Sequence, residues 1–255
     1  MERAAVQRRL NWQTAMVVDL REETHQTTSI VLDVPDWGTH RAGQHLDVRL
    51  TAEDGYQTER SYSIASAPED EHLEMTVERI DDGEVSPYLT EELRPGDAIE
   101  LRGPIGGYFV WEEKLGGPLF LLAGGSGVVP LRAMLRHYLA AESTVPVRLL
   151  YSARSLGDVI YHDELQRMID DHGLDIRFTL TRQQPPGWRG YSRRIDQALL
   201  ADVAFPADEH PLVYICGPTA FAESAADTLV ALAYDPSEIM IERFGPSGGQ
   251  ARGSA

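Results

Sequence analysis

Four consecutive residues, Arg60-Ser61-Tyr62-Ser63, combine a permanent cation, an aromatic ring and two hydroxyl groups. Successive side chains of a β-strand point to opposite faces, so Arg60 and Tyr62 would share one face, with Ser61 and Ser63 on the other or flanking it. An arginine fork suits a pyrophosphate, a tyrosine can cover a flat ring, and a serine can hydrogen-bond a ring heteroatom. A bound flavin nucleotide requires these three roles, although a polar strand edge before a loop also explains the four residues.

Three glycine-containing motifs follow in order along the chain. Gly83-Glu84-Val85-Ser86 precedes a predicted helix, whose first N–H groups and positive dipole end attract phosphate, and Ser86 could also cap that helix. Gly103-Pro104-Ile105-Gly106-Gly107 is typical of a loop, with either Tyr108 or Phe109 as its closing aromatic residue. Gly124-Gly125-Ser126-Gly127 separates an apolar strand from a helix, so it is a pyrophosphate loop or simply a tight turn.

In this order the motifs resemble the ferredoxin–NADP reductase superfamily of flavoproteins, over about residues 12–244. The resemblance implies that Arg60 pairs with the flavin pyrophosphate, Tyr62 covers the isoalloxazine and Ser63 donates to flavin N5. Arg79 would add a second charge, or it is a solvated surface arginine. The implied flavin-binding residues are Arg60, Ser61, Tyr62, Ser63, Val77, Glu78, Arg79, Gly83, Glu84, Val85 and Ser86. The second phosphate that Gly83 to Ser86 could hold favours FAD, although FMN-using relatives share the Arg-x-Tyr-Ser pattern.

The same resemblance implies a nicotinamide site in the second half of the chain. Thr181-Arg182 is similar to the pair that holds the 2′-phosphate of NADPH, and further arginines cluster between residues 189 and 194. We therefore predict NADPH rather than NADH, the alternatives for the cluster being a solvated arginine loop or a patch for an acidic partner. The implied residues are Gly124, Gly125, Ser126, Gly127, Arg154, Thr181, Arg182, Arg193, Arg194, Cys216, Gly217 and Phe244.

Four residues are predicted to take part in the reaction: Ser63, Cys216, Glu242 and Phe244. By resemblance, Cys216 lies near nicotinamide C4, although a lone cysteine is more often a buried structural thiol. Glu242 would relay protons or stabilise the charged ring, and Phe244 would stack on the exposed flavin face. Eleven residues follow Phe244, and this tail could cover the active site or shield the adenine of FAD.

Composition limits the class of protein. A formal net charge of −17 disfavours nucleic acid and anionic membranes as partners. Apolar runs are too short for a membrane span, and the arginine-containing first ten residues lack the apolar core of a secretory signal. One cysteine excludes an intrachain disulfide and is too few for an iron–sulfur cluster, and the histidines are scattered, so no metal site is predicted. The expected location is the cytoplasm.

The spacing of apolar residues predicts two domains. Short alternating segments and turn residues predict an antiparallel six-stranded β-barrel over residues 12–111, with one helix near residues 86–93. After the break at residues 111–117, strands alternate with helices, which predicts an α/β doubly wound parallel sheet over residues 118–244. The flavin would bind the barrel and the nicotinamide the α/β domain. Residues 245–255 are predicted to form a mobile tail.

These observations predict a FAD-dependent NADPH reductase. Hydride would pass from nicotinamide C4 to flavin N5, and single electrons would then pass to a separate redox protein, with ferredoxin as the leading candidate. The alternatives are a reductase of free flavins or dyes, the reductase component of an oxygenase, a flavin-binding subunit of a larger enzyme, and a flavin-binding protein without redox activity.

Overall fold

The structure is a computed structural model that describes residues 10–245. Residues 246–255 of the predicted C-terminal tail lie outside the described residues. The described chain folds into two halves, each built on one sheet.

The first half is a six-stranded antiparallel sheet in the strand order β4-β3-β6-β1-β2-β5. Its strands are β1 (Gln13–Thr24), β2 (Thr27–Asp33), β3 (His45–Thr51), β4 (Gln57–Ser63), β5 (Leu73–Glu78) and β6 (Ala98–Ile105). The outer strands approach each other at a bridge between Ile64 and Met75, so the sheet curls into a barrel. Fully buried side chains such as Ile30, Leu46 and Leu101 fill it, since alternate residues of each strand point inward. The predicted barrel is confirmed.

Along Gln57–Ser63, β4 is hydrogen-bonded to a strand on one side only, namely to β3. The opposite edge faces the segment that links β5 to β6. This segment contains the predicted helix, which begins at Ser86 and becomes a short π-helix over Tyr88–Glu92. An uncovered strand edge leaves backbone N–H and C=O groups available to another molecule. A groove with polar walls therefore lies between β4 and the helical segment.

The second half is a five-stranded parallel sheet in the order β11-β10-β7-β8-β9, with helices between the strands. Its strands are β7 (Leu119–Gly124), β8 (Val147–Ala153), β9 (Asp175–Leu180), β10 (Leu212–Pro218) and β11 (Ile239–Phe244). Its α-helices are α1 (Val128–Ala140), α2 (His162–His172), α3 (Gln197–Val203) and α4 (Thr219–Ala231). The predicted doubly wound sheet is confirmed.

The apolar run of β7 is explained by two cores. Leu119 and Leu121 pack on one face of the sheet with residues of α1 and α2, whereas Phe120 and Leu122 pack on the other with residues of α3 and α4. Both faces of the strand are therefore buried, which is the usual state of a parallel sheet. From β7 the strand order runs outward in two directions, to β8 and β9 on one side and to β10 and β11 on the other. Such a switch point opens a crevice at the carboxyl ends of the strands.

Buried charges and aromatic rings join the two halves. Arg132 of α1 is 1% exposed and donates to Ala65 O and to Glu74 Oε1 of the first half, the latter at 2.7 Å. Phe109 is buried edge-on against Tyr214, whereas Tyr108 is exposed, so Phe109 is the aromatic residue that closes the loop. Arg132 also pairs with Glu164 of α2, and Glu74 also pairs with Arg21 of β1, so one largely buried network of charges spans the two halves.

Within residues 10–245, no helix combines the length and the apolar character needed to cross a bilayer.

Candidate active site

The motif at residues 60–63 has the predicted alternation of faces. In the register of β3 and β4, Arg60 is opposite Val48 and Tyr62 opposite Leu46, while Ser61 is opposite Asp47 on the other face. The Ser61 hydroxyl donates to Asp47 Oδ1 at 2.6 Å, which directs it away from Arg60 and Tyr62. Ser61 therefore packs against the outside of β3 rather than toward the groove.

Tyr62 and Ser63 carry the hydroxyl groups at the end of β4, Tyr62 on the face of Arg60 and Ser63 on the face of Ser61. Burial raises the pKa of Tyr62 to about 12, with the Arg60 charge acting in the opposite direction, so the phenol keeps its proton at neutral pH. The Ser63 hydroxyl is half-buried and has no hydrogen-bond partner among residues 10–245. Both hydroxyl groups can therefore donate to a ring system that lies against β4.

Arg60 and the Gly83 to Ser86 motif lie together across the groove. Arg60 NH2 donates to Glu84 Oε2 at 3.2 Å, and both side chains are about half exposed, at 51% and 56%. The N–H groups of Glu84 and Val85 have no acceptor within residues 10–245, whereas the Gly83 N–H is bonded to Ile80 O. Two free N–H groups thus lie next to the carboxylate that Arg60 contacts, and the Glu84 side chain is exposed enough to swing away from an anion.

Ser86 does not have the capping role considered above. Its hydroxyl accepts a hydrogen bond from the Ile80 N–H at 3.0 Å, and Pro87 occupies the cap position of the π-helix without a side-chain hydrogen bond. The reason is that the turn from Ile80 to Gly83 brings the Ile80 N–H within reach before the helix begins. The Ser86 hydroxyl proton is still available as a donor.

Arg79 lies in a different environment from Arg60. Its guanidinium binds Asp81 and Glu91 and lines a concavity with Thr90 and Arg94. No described contact joins it to Arg60. The structure therefore does not bring Arg79 to the Arg60 side of the groove, because its own acidic neighbours hold it on the opposite side of the helical segment.

A cavity of about 220 Å³ lies between the two halves, at the carboxyl ends of β7 and β8. Among its lining residues are seven of the predicted site residues, namely Glu78, Gly124, Gly125, Ser126, Arg154, Thr181 and Phe244. Glu78 comes from the barrel and the other six come from the parallel sheet. The cavity thus joins the end of β5 to the glycine loop, and it is where a nicotinamide nucleotide would meet the flavin half.

Close backbone packing explains two of the glycines in and beside this cavity. A Cβ atom on Gly127 would lie 2.0 Å from Cys216 O, and a Cβ on Gly124 would lie 2.8 Å from the ring of Phe221. Phe221, in the first turn of α4, also lines the cavity and was not predicted from the sequence. Its position directly after the β10–α4 turn is the signal that could have identified it, because such first-turn residues face the crevice.

The arginines that were predicted to bind the nicotinamide nucleotide separate into two groups. The N–H of Arg182 donates to Arg154 O at 2.9 Å, so these exposed residues are neighbours at the sheet edge beside Thr181. Neither side chain forms an ion pair within residues 10–245. Arg193 instead binds Asp196 at 2.7 Å and lines a separate concavity. Arg193 therefore does not line the cavity, because hydrogen bonds between its backbone and the Thr179 hydroxyl place it beside α3.

Arg194 is exposed and likewise does not line the cavity. One acidic residue that was not among the predicted site residues, Asp158, does line it. It accepts a hydrogen bond from Ser155 Oγ at 2.6 Å. Asp158 lies five residues after the end of β8, whereas the acidic residue that binds a ribose hydroxyl is usually at the strand end itself. A short 3-10 helix at Leu156–Asp158 returns the chain to the cavity.

Cys216, Glu242 and Phe244 lie on the neighbouring strands β10 and β11. The parallel register pairs Cys216 with Glu242 and Pro218 with Phe244. Burial, with a contribution from the Glu242 charge, raises the pKa of the Cys216 thiol well above its usual value. The thiol is therefore protonated at neutral pH and is not a nucleophile. Gly217 packs against Phe221 and Gly124, which brings the two loops together.

Glu242 is the most strongly perturbed carboxyl group of the site. Burial raises its pKa to about 7, and its Oε2 atom is buried without a hydrogen-bond partner among residues 10–245. A carboxyl group with a pKa near neutrality can both hold and release a proton at physiological pH. An unpaired polar atom at a buried position also destabilises the fold, which is typical of a site residue rather than of a structural one.

The fold and site define the class of protein. An antiparallel barrel joined through a cavity to a parallel sheet with a glycine loop is the architecture of a two-domain flavin- and nicotinamide-dependent oxidoreductase. The family model of the oxidoreductase FAD-binding domain matches residues 15–110, and the family model of the oxidoreductase NAD-binding domain matches residues 121–227. The chain belongs to the ferredoxin–NADP reductase superfamily.

Individual relatives agree with this assignment. The chain is 29% identical over 231 residues to the glycine betaine monooxygenase reductase subunit of Chromohalobacter salexigens, covering 89% of this chain and 62% of that protein. It is 32% identical over 247 residues to the ferredoxin reductase component of 3-ketosteroid-9-alpha-monooxygenase of Mycobacterium tuberculosis, covering 92% and 65%. The chain thus spans a little under two thirds of the length of these relatives.

A similar solved structure covers both halves of the fold. The FAD/NAD-binding domain of nitric oxide dioxygenase from Vibrio cholerae superposes with a TM-score of 0.81 at 28% sequence identity. The match covers 92% of this chain and 99% of that one. Both halves and their order along the chain are therefore shared with a two-nucleotide oxidoreductase module.

Proposed function

We propose that the chain is a FAD-dependent NADPH reductase that passes electrons singly to a separate redox protein, with ferredoxin as the leading candidate. The observation that carries this proposal is the cavity in which the end of β5, the glycine loop and Phe244 meet. When bound, FAD supplies the chemistry that side chains lack, because it accepts two electrons as hydride and releases them one at a time. The cytoplasmic location stays a prediction from the sequence.

In the flavin groove, Arg60 and the free N–H groups of Glu84 and Val85 would hold the diphosphate of FAD. Tyr62 would cover the ring and Ser63 would donate a hydrogen bond to it. The groove supports this assignment, because the outer edge of β4 is uncovered over the same residues. Val77 is buried in the core of the barrel and would support the flavin half by packing.

Around the reacting atoms, Phe244 would exclude water from the cavity that it lines. The Cys216 thiol, kept neutral by burial, would position the nicotinamide without reacting with it. Glu242 would hold a proton beside Cys216, because its pKa lies near 7. The glycines of residues 124–127 would let the nicotinamide pyrophosphate approach the backbone at the start of α1.

Replacing Arg60 with glutamine is expected to raise the dissociation constant of FAD about tenfold, since a charge-assisted hydrogen bond to phosphate is lost. The measurement is a fluorescence titration of cofactor-free protein with FAD. Arg167→Gln is the matched control, because Arg167 is exposed on α2 in the other half. If Arg60→Gln binds FAD with the same affinity as wild type, Arg60 does not contribute to the flavin site.

The preference for NADPH is supported by the pair of arginines at the sheet edge. Arg154 and Arg182 are adjacent through their backbone, exposed and without ion-pair partners in residues 10–245, and Arg154 lines the cavity. Two guanidinium groups with no protein anion to neutralise them suit the 2′-phosphate of NADPH. Arg193 and Arg194 contribute less to this proposal than the sequence suggested, because Arg193 is paired with Asp196.

A second candidate, NADH, is favoured by Asp158. Its carboxylate lines the same cavity as Arg154, and a carboxylate near the adenosine end of the site can accept hydrogen bonds from a ribose 2′-hydroxyl. The same carboxylate would repel a 2′-phosphate. Asp158 and the two arginines therefore favour different nucleotides, and measurement must decide between them.

Anaerobic stopped-flow mixing with NADPH and NADH tests both the reductase proposal and the nucleotide preference. We expect the flavin absorbance to bleach faster with NADPH, and Arg182→Gln to reduce this preference about tenfold by weakening NADPH binding alone. If NADH is the true donor, NADH bleaches faster and Asp158→Asn weakens NADH binding instead. A protein that binds FAD and bleaches with neither nucleotide would rule out the reductase.

The electron acceptor is proposed from relatives that are named as reductase components. Those of 3-ketosteroid-9-alpha-monooxygenase and of the naphthalene 1,2-dioxygenase system are described as ferredoxin reductases. An iron–sulfur protein is therefore the first choice of acceptor. The alternative is that the chain serves as the reductase component of an oxygenase and passes its electrons within that system. Anaerobic electron transfer to a [2Fe–2S] ferredoxin, compared with transfer to free FMN, distinguishes a protein acceptor from a flavin acceptor.

A further inference from the structure

One carboxylate of the barrel lies against the glycine loop of the parallel sheet. Glu78, the last residue of β5, accepts a hydrogen bond from the Ser126 hydroxyl, with 2.6 Å between Oε2 and Oγ. Both side chains line the cavity with Gly124 and Gly125. The Glu78 carboxylate has no ion pair within 4.0 Å among residues 10–245, and the neighbouring Arg79 is bound to Asp81 and Glu91. Glu78 thus has no ion-pair partner of its own among these residues, and the cavity lining also holds one cation, Arg154, and one further carboxylate, Asp158.

We propose that Glu78 competes with the pyrophosphate of the nicotinamide nucleotide for the Ser126 hydroxyl and thereby weakens nucleotide binding. This rests on the proposed function, in which the glycine loop receives that pyrophosphate. A serine hydroxyl has one proton and donates to one acceptor at a time. When a phosphate oxygen takes that proton, Glu78 loses its hydrogen bond and faces a second anion across the same cavity.

The competition assigns Glu78 a role in turnover. Oxidised and reduced nicotinamide nucleotides carry the same pyrophosphate, so Glu78 lowers the affinity for both and keeps the site from being blocked by product. Repulsion between like charges roughly 5 Å apart in a partly solvated cleft corresponds to a change of about fivefold to tenfold in the dissociation constant. Because Glu78 is exposed, dissolved salt screens this repulsion.

Isothermal titration calorimetry of the FAD-loaded protein with the oxidised nucleotides NAD⁺ and NADP⁺ tests the proposal without catalysis. Glu78→Gln keeps an acceptor for Ser126 but removes the charge. We expect it to bind the preferred nucleotide about fivefold more tightly than wild type at about 50 mM salt, and the gain to fall below about twofold at about 500 mM salt.

Two further variants separate the charge effect from a change in the loop. Glu71→Gln is the matched control, since Glu71 is exposed just before the other end of β5, and its affinity should equal that of wild type. In a Ser126→Ala background the gain from Glu78→Gln should be smaller, because the contested hydroxyl is absent.

Unchanged or weaker binding by Glu78→Gln would overturn the role of Glu78, as would a gain that is independent of salt. Those results leave the proposed function standing if wild-type protein binds the nucleotide. A wild-type protein that binds neither NAD⁺ nor NADP⁺ would overturn the proposed function and this inference together.

Discussion

Replacing Glu242 with glutamine is expected to give a protein that reduces its flavin about a hundredfold more slowly at pH 7 and is more stable than wild type at pH 8. Glutamine has nearly the same shape as glutamate but holds no titrating proton. The lost rate reflects the magnitude that a positioned proton-transfer group usually contributes. The gain in stability follows from the burial of the carboxyl group.

The direction of the pH effect follows from the raised pKa. Burial moves the pKa of Glu242 from 4.5 to about 7, so the folded protein holds this proton more tightly than the unfolded chain does. Below the unfolded pKa both states are protonated, and Glu242 carries no electrostatic penalty. Between the unfolded and the folded pKa only the unfolded chain releases the proton, so stability falls with rising pH, and the loss is complete above the folded pKa at up to about 3 kcal/mol. Glu242→Gln avoids this loss.

The test is a comparison of melting temperatures and flavin-reduction rates for FAD-loaded protein between pH 5 and pH 8.5. The melting temperatures of wild type and Glu242→Gln should be closest at the acid end of this range and diverge as the pH rises to about 7, with the variant higher, and the difference should stay constant above that. The rate of wild type should also change around pH 7, whereas that of the variant should not. Glu53→Gln, at an exposed turn, is the control and should match wild type throughout.

A melting difference between wild type and Glu242→Gln that is the same at every pH would contradict a buried, titrating Glu242. If Glu242→Gln reduces its flavin at the wild-type rate but has altered stability, the carboxyl group is buried but takes no part in the reaction.

Gly127→Ala is expected to destabilise the nicotinamide half by about 3–4 kcal/mol, more than a typical surface change. A Cβ atom here would lie 2.0 Å from Cys216 O and 2.3 Å from Cys216 C. These are backbone atoms of β10, a central strand, so they cannot move aside as a flexible side chain could. Gly127 itself has a φ of −61°, which alanine adopts readily, so the cost arises from space alone.

Thermal unfolding of FAD-loaded protein measures this effect, with an expected fall in Tm of about 10 °C for Gly127→Ala. The matched control is Gly157→Ala, whose Cβ would meet only Ser155 Oγ at 3.8 Å. It should change stability by less than about 0.5 kcal/mol. The Gly127 variant should also bind nicotinamide nucleotide weakly, because α1 must shift away from Cys216.

A Gly127→Ala variant with wild-type Tm would mean that α1 and β10 are not packed as closely as described. Normal stability with lost nucleotide binding would instead show that α1 retreats from Cys216 at little cost, so that Gly127 serves binding rather than packing.

The spacing of apolar residues and the order of the motifs determined the fold class and the general location of the site. The apolar run of residues 119–123 required a strand buried on both faces, and alternation with helices required a parallel sheet. The carboxyl ends of parallel strands meet at one edge, so the motifs after β7, β8 and β9 had to lie near one another whatever the details of packing. The alternation of residues 60–63 likewise followed from strand geometry alone.

Contacts between distant segments were beyond the reach of the sequence. Arg193 is paired with Asp196, whereas Arg154 and Arg182 form no ion pair within residues 10–245 and are joined through their backbone. Asp158 enters the cavity only because a short turn folds it back toward β8. Local patterns carry no information about such partners, since they are fixed by the path of the chain between elements.

Only the tertiary structure decided how the two halves meet. It paired Glu78 of the barrel with Ser126 of the glycine loop, and it chose Phe109 over Tyr108 as the buried ring. It also buried Glu242, and burial is what raises the pKa of that carboxyl group to about 7. The sequence supplied a carboxyl group two residues before an aromatic one, and desolvation, a property of the surrounding fold, made it able to exchange a proton at neutral pH.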